Sequence, residues 1–111
     1  MNRFSKELLA PHFEKWDLVK EKIEKLYSLK DKKALIYMEV AIRDYVQLLE
    51  YGGNELNERT GNLDTLLLPL NGEERLQFVQ DRIASHYAYI QLDALYTETK
   101  KKAARLFVMK K

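Results

Sequence analysis

The sequence has 111 residues, contains no cysteine and carries a formal net charge of +2 at pH 7. This length predicts a single domain, residues 1–111, with a core that needs no disulfides, and the lack of cysteine excludes thiolate chemistry. No apolar run is long enough to cross a bilayer, and Lys6 and Glu7 interrupt the short apolar stretch near the N-terminus. We therefore expect a cytoplasmic protein without a signal peptide.

Two helical patterns occupy the first half of the chain. Apolar residues recur every three or four positions over residues 16–26 and again over residues 35–49. This spacing places each set on one face of a helix. The nine-position gap between the sets puts the two faces out of phase, so one continuous helix would aim them in different directions. We predict a break at about residues 29–31, with Asp31 as the cap of the second helix.

Turn-forming residues bound these helices. Pro11 separates the first helix from a short turn that we predict at residues 4–10, because proline interrupts helices. The second helix is predicted to end at Gly52 and Gly53, where glycine readily takes a left-handed conformation. A loop rich in asparagine and glycine follows. The leucines within residues 63–68 are expected to form a single turn that covers one end of the core.

Two further helical patterns occupy the second half. Asn71 is predicted to cap the third helix, and Glu74 lies where its side chain can reach back to that cap. Apolar residues at spacings of three and four follow over residues 76–83. Ser85 is a second predicted cap, and the helix that it begins runs to about Lys110 without proline or glycine.

Together these patterns predict an all-α fold, a compact bundle of four to five helices with one irregular loop at about residues 52–70. The apolar faces of the helices should be buried against one another. The residues expected in this core are Trp16, Ile23, Leu35, Ile42, Leu49, Leu76, Val79, Leu92 and Leu95.

Polar and aromatic side chains concentrate where the third and fourth helices meet. They are Arg75, Arg82, His86, Tyr87 and Gln91. Such a corner can bind an anion or a partner's carboxylate, because the arginine fork matches oxyanions. We favour the alternative of a structural lock, in which a tyrosine hydroxyl and an arginine satisfy free backbone carbonyls. In that lock Arg82, Tyr87 and Gln91 form one polar cluster that fixes the angle between the helices.

The last helix carries a basic patch formed by Lys100, Lys101, Lys102 and Arg105. Six cations and one carboxylate give residues 97–111 a charge of +5, which leaves −3 for the rest of the chain. This patch can contact nucleic-acid phosphates. We favour the alternative that the cations stabilise the negative end of the helix dipole, because aromatic side chains that would stack on bases are sparse there.

Catalytic and metal-binding patterns are missing from the sequence. Its two histidines, His12 and His86, lack the preceding glutamate that metal-binding pairs in helical bundles use, and no nucleophile-elbow motif is present. The Gly52-Gly53 pair lacks the lysine of a phosphate-binding loop. We expect no enzymatic activity, no metal site and no cofactor.

Several short runs of this sequence resemble the YpoC-like proteins of Bacillota. In the second half these are Glu74-Arg75-Leu76, Phe78, Arg82, Tyr87, Ala88, Gln91-Leu92, Leu95-Tyr96 and Glu98. In the first half they are Trp16, Ile23, Lys30-Asp31, Ala34-Leu35, Met38 and Ile42. The resemblance implies a small cytoplasmic helical protein without an assigned activity, and it supplies no catalytic residues.

These observations favour a non-enzymatic interaction module that binds a protein partner or a second copy of itself, with no role at a membrane. The alternative is a nucleic-acid-associated accessory protein that uses the basic C-terminal helix. The salt dependence of binding to DNA or RNA would distinguish the two functions.

Overall fold

The computed structural model of this chain describes residues 3–109. Within that range the elements are α1 (Lys6–Ser28), α2 (Lys33–Gly52), β1 (Asn54–Leu56), β2 (Leu63–Thr65), α3 (Gly72–Asp81) and α4 (His86–Met109). The predicted all-α class and the predicted number of helices are confirmed. The predicted end of the last helix at Lys110 lies outside the described residues.

Helix α1 begins earlier than predicted. The Ser5 hydroxyl caps it by accepting a hydrogen bond from the Leu8 backbone N–H at 3.3 Å, and Pro11 lies inside the helix. The separate turn predicted at residues 4–10 is therefore wrong. Proline inside a helix costs about 3 kcal/mol, but a continuous helix places Leu9 and Phe13 four positions apart on the buried face. Burying each such side chain contributes about 1.5–3 kcal/mol, which offsets the cost.

The corner between α1 and α2 lies where the sequence predicted it. Lys30 adopts a left-handed conformation with φ of 55°, which reverses the chain without glycine. The Asp31 carboxylate then accepts a hydrogen bond from the Lys33 backbone N–H at 2.9 Å. Asp31 therefore satisfies a free N–H in the first turn of α2, although the N-cap residue is Lys32, one position later than predicted.

The predicted irregular loop contains a small antiparallel hairpin. Gly53, with φ of 76°, ends α2, and β1 then pairs with β2 so that Asn54 faces Thr65. Each strand has only three residues, and the intervening turn residues obscured the pairing in the sequence. Of the leucines predicted to cover the core, Leu67 is fully buried, whereas Leu63 is 68% exposed on β2.

The segment between the hairpin and α3 is held against α4 by side-chain hydrogen bonds. The Thr99 hydroxyl donates to the Leu67 carbonyl at 3.0 Å, and the Lys102 ammonium donates to the Leu68 carbonyl at 2.7 Å. These bonds satisfy backbone carbonyls that lie outside any helix or strand. They fix the start of α3 on the surface of α4.

Asn71 lies at the N-cap position of α3, as predicted, but not in the expected conformation. Asn71 is left-handed, with φ of 56°, and its side chain makes no capping hydrogen bond to α3. Its backbone carbonyl accepts from the Arg75 N–H at 3.0 Å, which is the first hydrogen bond of α3. Asparagine tolerates this conformation better than most residues, which explains its presence. The other predicted cap is confirmed, because the Ser85 hydroxyl accepts from the Tyr87 N–H at 3.2 Å.

The core lies where α1, α2 and α4 meet, and α3 covers one end of α4. Seven of the nine predicted core residues are buried, and the exceptions, Leu35 and Leu76, are half-buried. Aromatic rings join the layers. Trp16 of α1 stacks on Tyr96 of α4 at a centroid distance of 4.9 Å, and Tyr45 of α2 meets the same tyrosine edge to face.

Candidate protein-binding groove

Of the polar residues predicted at the junction of α3 and α4, Arg75 reaches across to α4, whereas Arg82 and Tyr87 are exposed. Arg75 lies in α3 and Arg82 directly follows its last residue, whereas Tyr87 and Gln91 are four positions apart on one side of α4. The Arg75 guanidinium forms a two-pronged ion pair with the Glu98 carboxylate and also donates to the Leu70 carbonyl at 3.2 Å. This hydrogen bonding lowers the pKa of Glu98.

The polar cluster that the sequence predicted for Arg82, Tyr87 and Gln91 does not form. Within residues 3–109 no hydrogen bond joins their side chains, and Tyr87 is 70% exposed. Arg82 is exposed at the end of α3, where its backbone N–H donates to the Phe78 carbonyl and its carbonyl accepts from the Ser85 N–H. A role for these residues in binding stays a prediction.

The junction is instead held by a residue that sequence reasoning missed. The Tyr27 hydroxyl, at the end of α1, donates to the Ile83 carbonyl at 2.6 Å. The His86 ring stacks on Tyr89 with centroids 5.6 Å apart, and it lies 6.0 Å from the Tyr27 ring. The expected tyrosine-to-carbonyl lock exists, but the tyrosine comes from another helix. Its sequence signal was the four-residue spacing of Tyr27 from the buried Ile23.

The residues of the predicted basic patch point in different directions around α4. The Lys102 ammonium is held by the Leu68 carbonyl, and burial lowers its pKa. The Lys100 ammonium lies 5.8 Å from the centroid of the Phe13 ring on α1. Lys101 and Arg105 are exposed and share one face of the helix, four positions apart. Two of the four cations therefore remain together and open to solvent.

An open groove runs between the N-terminal half of α1 and the C-terminal part of α4. Its volume is about 680 Å³, and its walls are mainly apolar. Phe13 and Ala10 come from α1, and Ala104 and Phe107 come from α4. Val108, which is 68% exposed, stands at one edge. Of the residues predicted to bind a partner, Lys100 alone lines this groove among the described residues.

Small side chains cause the groove. Toward the centre of the molecule α1 and α4 are closely joined, since the Trp16 indole N–H donates to the Asp93 carboxylate at 2.8 Å. Toward the start of α1 and the end of α4, the facing residues include Ala10, Ala103 and Ala104. These side chains are short, and the space beside them stays open as the groove. Sequence reasoning missed this groove because it excluded residues 4–10 from α1.

The rim of the groove carries charges of both signs. Lys6 and Glu14 lie on the α1 side, with Ala10 midway between them. Asp17 is paired with Lys20 at 3.3 Å, whereas Lys6 and Glu14 form no ion pair within residues 3–109. The groove can therefore accept apolar side chains, and its rim can select the charges beside them.

Neither a metal site nor a membrane span emerges from the described part of the chain. Across residues 3–109, no group of three His, Asp or Glu side chains is arranged to hold a metal ion. No helix in the same range is both long enough and apolar enough to cross a membrane.

Residues 6–111 match the model of the family described as YpoC-like protein. The chain belongs to the YpoC-like family. The match spans all four helices, including both walls of the groove, and it confirms the resemblance seen in the sequence. No curated protein and no solved structure matches the chain. The family description names no ligand, so a function must be argued from the geometry of this YpoC-like chain.

Proposed function

We propose that this YpoC-like chain is a non-enzymatic protein-binding module, and that the groove between α1 and α4 is its binding surface. The observation that carries the proposal is an open, mainly apolar groove of about 680 Å³ with alanines along its walls. Exposed apolar surface rimmed by polar residues commonly marks an interaction site on a protein.

The shape of the groove suits a helix with an apolar face. Ala10 and Ala104 let another helix backbone approach closely, and Phe13 and Phe107 provide apolar walls on either side. Each large apolar side chain that a partner buries there contributes about 1.5–3 kcal/mol before the entropic cost of association. This is the helix-in-groove mode of recognition, in which residues one turn apart serve as anchors.

The rim adds direction to that binding. Lys6 and Glu14 are free of ion pairs in the described range and can meet opposite charges on a partner. Charge pairs at the rim of an interface fix its orientation and raise the association rate more than they raise affinity. The proposal assigns no reaction to the groove, because alkyl and phenyl groups dominate its walls.

A matched pair of variants tests this function. Ala104→Glu places a charge in the groove, whereas Ala84→Glu makes the same change at an exposed position in the turn between α3 and α4. Both proteins, immobilised beside the unaltered chain, are exposed to lysate of the source organism. We expect a retained protein that Ala104→Glu no longer holds and Ala84→Glu still holds. Equal retention by all three contradicts the proposal.

A second candidate function, association with nucleic acid, is favoured by the pair of exposed cations on α4. Lys101 and Arg105 share one face and can bind neighbouring phosphates. If this function is correct, binding of DNA or RNA at low salt weakens steeply as salt is added and is lost when both residues are changed to glutamate. The absence of such binding by the unaltered chain rejects this candidate.

A further inference from the structure

Three residues on the rim of the groove present opposite charges on either side of a small neutral residue. Lys6, Ala10 and Glu14 follow one another at four-residue intervals on the groove side of α1. Residues at this spacing lie above one another on the helix surface. Read along α1, the rim therefore presents a cation, a small neutral residue and an anion. Lys6 and Glu14 are both exposed, and no ion pair within residues 3–109 uses either.

This order of charges is complementary to itself when the helix direction is reversed. A twofold axis through Ala10 places Lys6 of one copy opposite Glu14 of the other, and the same operation creates the reciprocal pair. A parallel alignment would bring Lys6 against Lys6 and Glu14 against Glu14, which repel. The arrangement thus meets the requirement of an isologous dimer, in which one surface patch must match its own rotated copy.

The apolar surface beside these charges agrees with the same geometry. Ala10 on the axis allows two helices to approach closely, since no large side chain separates the backbones. The groove that opens beside it, toward Ala104 and Val108 of α4, offers apolar surface to the approaching helix. Because the dimer is twofold symmetric, the apolar groove surface of each copy is buried, so one interface contains this contact twice.

We propose that the occupant of the groove is a second copy of this chain, with the two α1 helices antiparallel across Ala10. The inference rests on the proposed function, because it names the partner of the same groove. Lys6 pairs with Glu14 of the second copy at both ends of the contact. The assembly stops at two copies, because each copy uses its groove side in this one interface.

Charge reversal tests the pairing directly. Lys6→Glu and Glu14→Lys each turn two attractive contacts of the dimer into two repulsive ones, and the double variant restores attraction with the signs exchanged. Lys15→Glu makes the same charge change as Lys6→Glu at an exposed position on another side of α1. Lys6→Glu also places an acid at the positive end of the helix dipole, so its fold should be retained.

Sedimentation equilibrium of the full chain gives the readout. We expect the unaltered chain and Lys15→Glu to dimerise alike, each single reversal to weaken dimerisation about tenfold, and the double variant to recover to within about threefold of the parent. A chain that stays monomeric up to about 1 mM overturns the inference. Dimerisation that ignores the single reversals, or a double variant that fails to recover, overturns it as well.

The outcome separates this inference from the function on which it rests. A monomeric chain that still retains another protein through Ala104 loses the second-copy inference and keeps the binding groove. A chain that neither dimerises nor retains a protein through Ala104 loses both.

Discussion

Tyr27 connects three helices through one hydroxyl group. Its hydrogen bond to the Ile83 carbonyl joins the end of α1 to the turn between α3 and α4. We predict that Tyr27→Phe lowers the free energy of unfolding by about 1–2 kcal/mol, because a half-buried carbonyl loses its donor. The exposed Tyr87→Phe makes the same chemical change and should leave stability unaltered. Chemical denaturation of both variants checks the prediction, and equal values for the two would contradict it.

Buried tyrosines also make stability depend on alkaline pH. Burial raises the pKa of Tyr27, Tyr45 and Tyr89 from 10.0 to about 12. Because the folded state favours the neutral hydroxyl, this stabilisation is complete below about pH 10 and is lost as the pH rises through about 12. We predict that the free energy of unfolding, measured by urea denaturation, decreases across that window. A constant value there would show that the tyrosines ionise equally in the folded and unfolded chain.

At the scale of single elements, Pro11 makes α1 less stable than its length suggests. It lies inside the helix and cannot donate a backbone hydrogen bond to the Glu7 carbonyl. Pro11→Ala restores that donor and so stabilises the helix. The substitution also makes the unfolded chain more flexible, which lowers the free energy of unfolding, but by a smaller amount. We expect the melting temperature to rise, with a free energy of unfolding about 1–2 kcal/mol higher. A lower melting temperature would mean that the proline ring itself stabilises the helix start.

Helix α4 provides a matched pair of sites for testing the core. Leu92 is fully buried, whereas Ile90 on the same helix is 49% exposed. Leu92→Ala should lower the free energy of unfolding by about 2–5 kcal/mol. Ile90→Ala should lower it by less than about 1 kcal/mol. Thermal and urea denaturation measure both changes, and a similar loss in the two variants would refute the assignment of the buried face.

The periodicity of apolar residues predicted the helices whose apolar faces are long and regular. It did not predict features of the structure that depend on a single contact. The face of α2 and the cap at Ser85 were found because spacing and capping are local properties of the sequence. Asn71 occupies the predicted N-cap position of α3, but its side chain makes no capping bond, because the backbone there is left-handed and the spacing of residues does not reveal this. The Tyr27 lock and the Arg75–Glu98 pair join residues that are distant in sequence, and a single sequence carries no record of such contacts.

At the scale of the molecule, the groove lies beside the C-terminal part of α4, away from α3. Helix α3 has 10 residues and is paired with α4 at Arg75 and Glu98, whereas α4 has 24 residues and continues to Met109. Beyond that pair α4 lies between the hairpin side, held through Lys102, and the start of α1. Alanines face one another on the α1 side, so the bundle ends in an open cleft.

The most direct test of the binding groove is site-specific photocrosslinking in living cells of the source organism. A photoreactive phenylalanine analogue replaces Ala104 in the groove or, as the control, the exposed Ala84. We predict that irradiation yields a discrete covalent adduct, to a second copy or to another protein, from position 104 and none from position 84. Adducts of equal yield from both positions, or none from position 104, would contradict the assignment of the groove as a protein-binding surface.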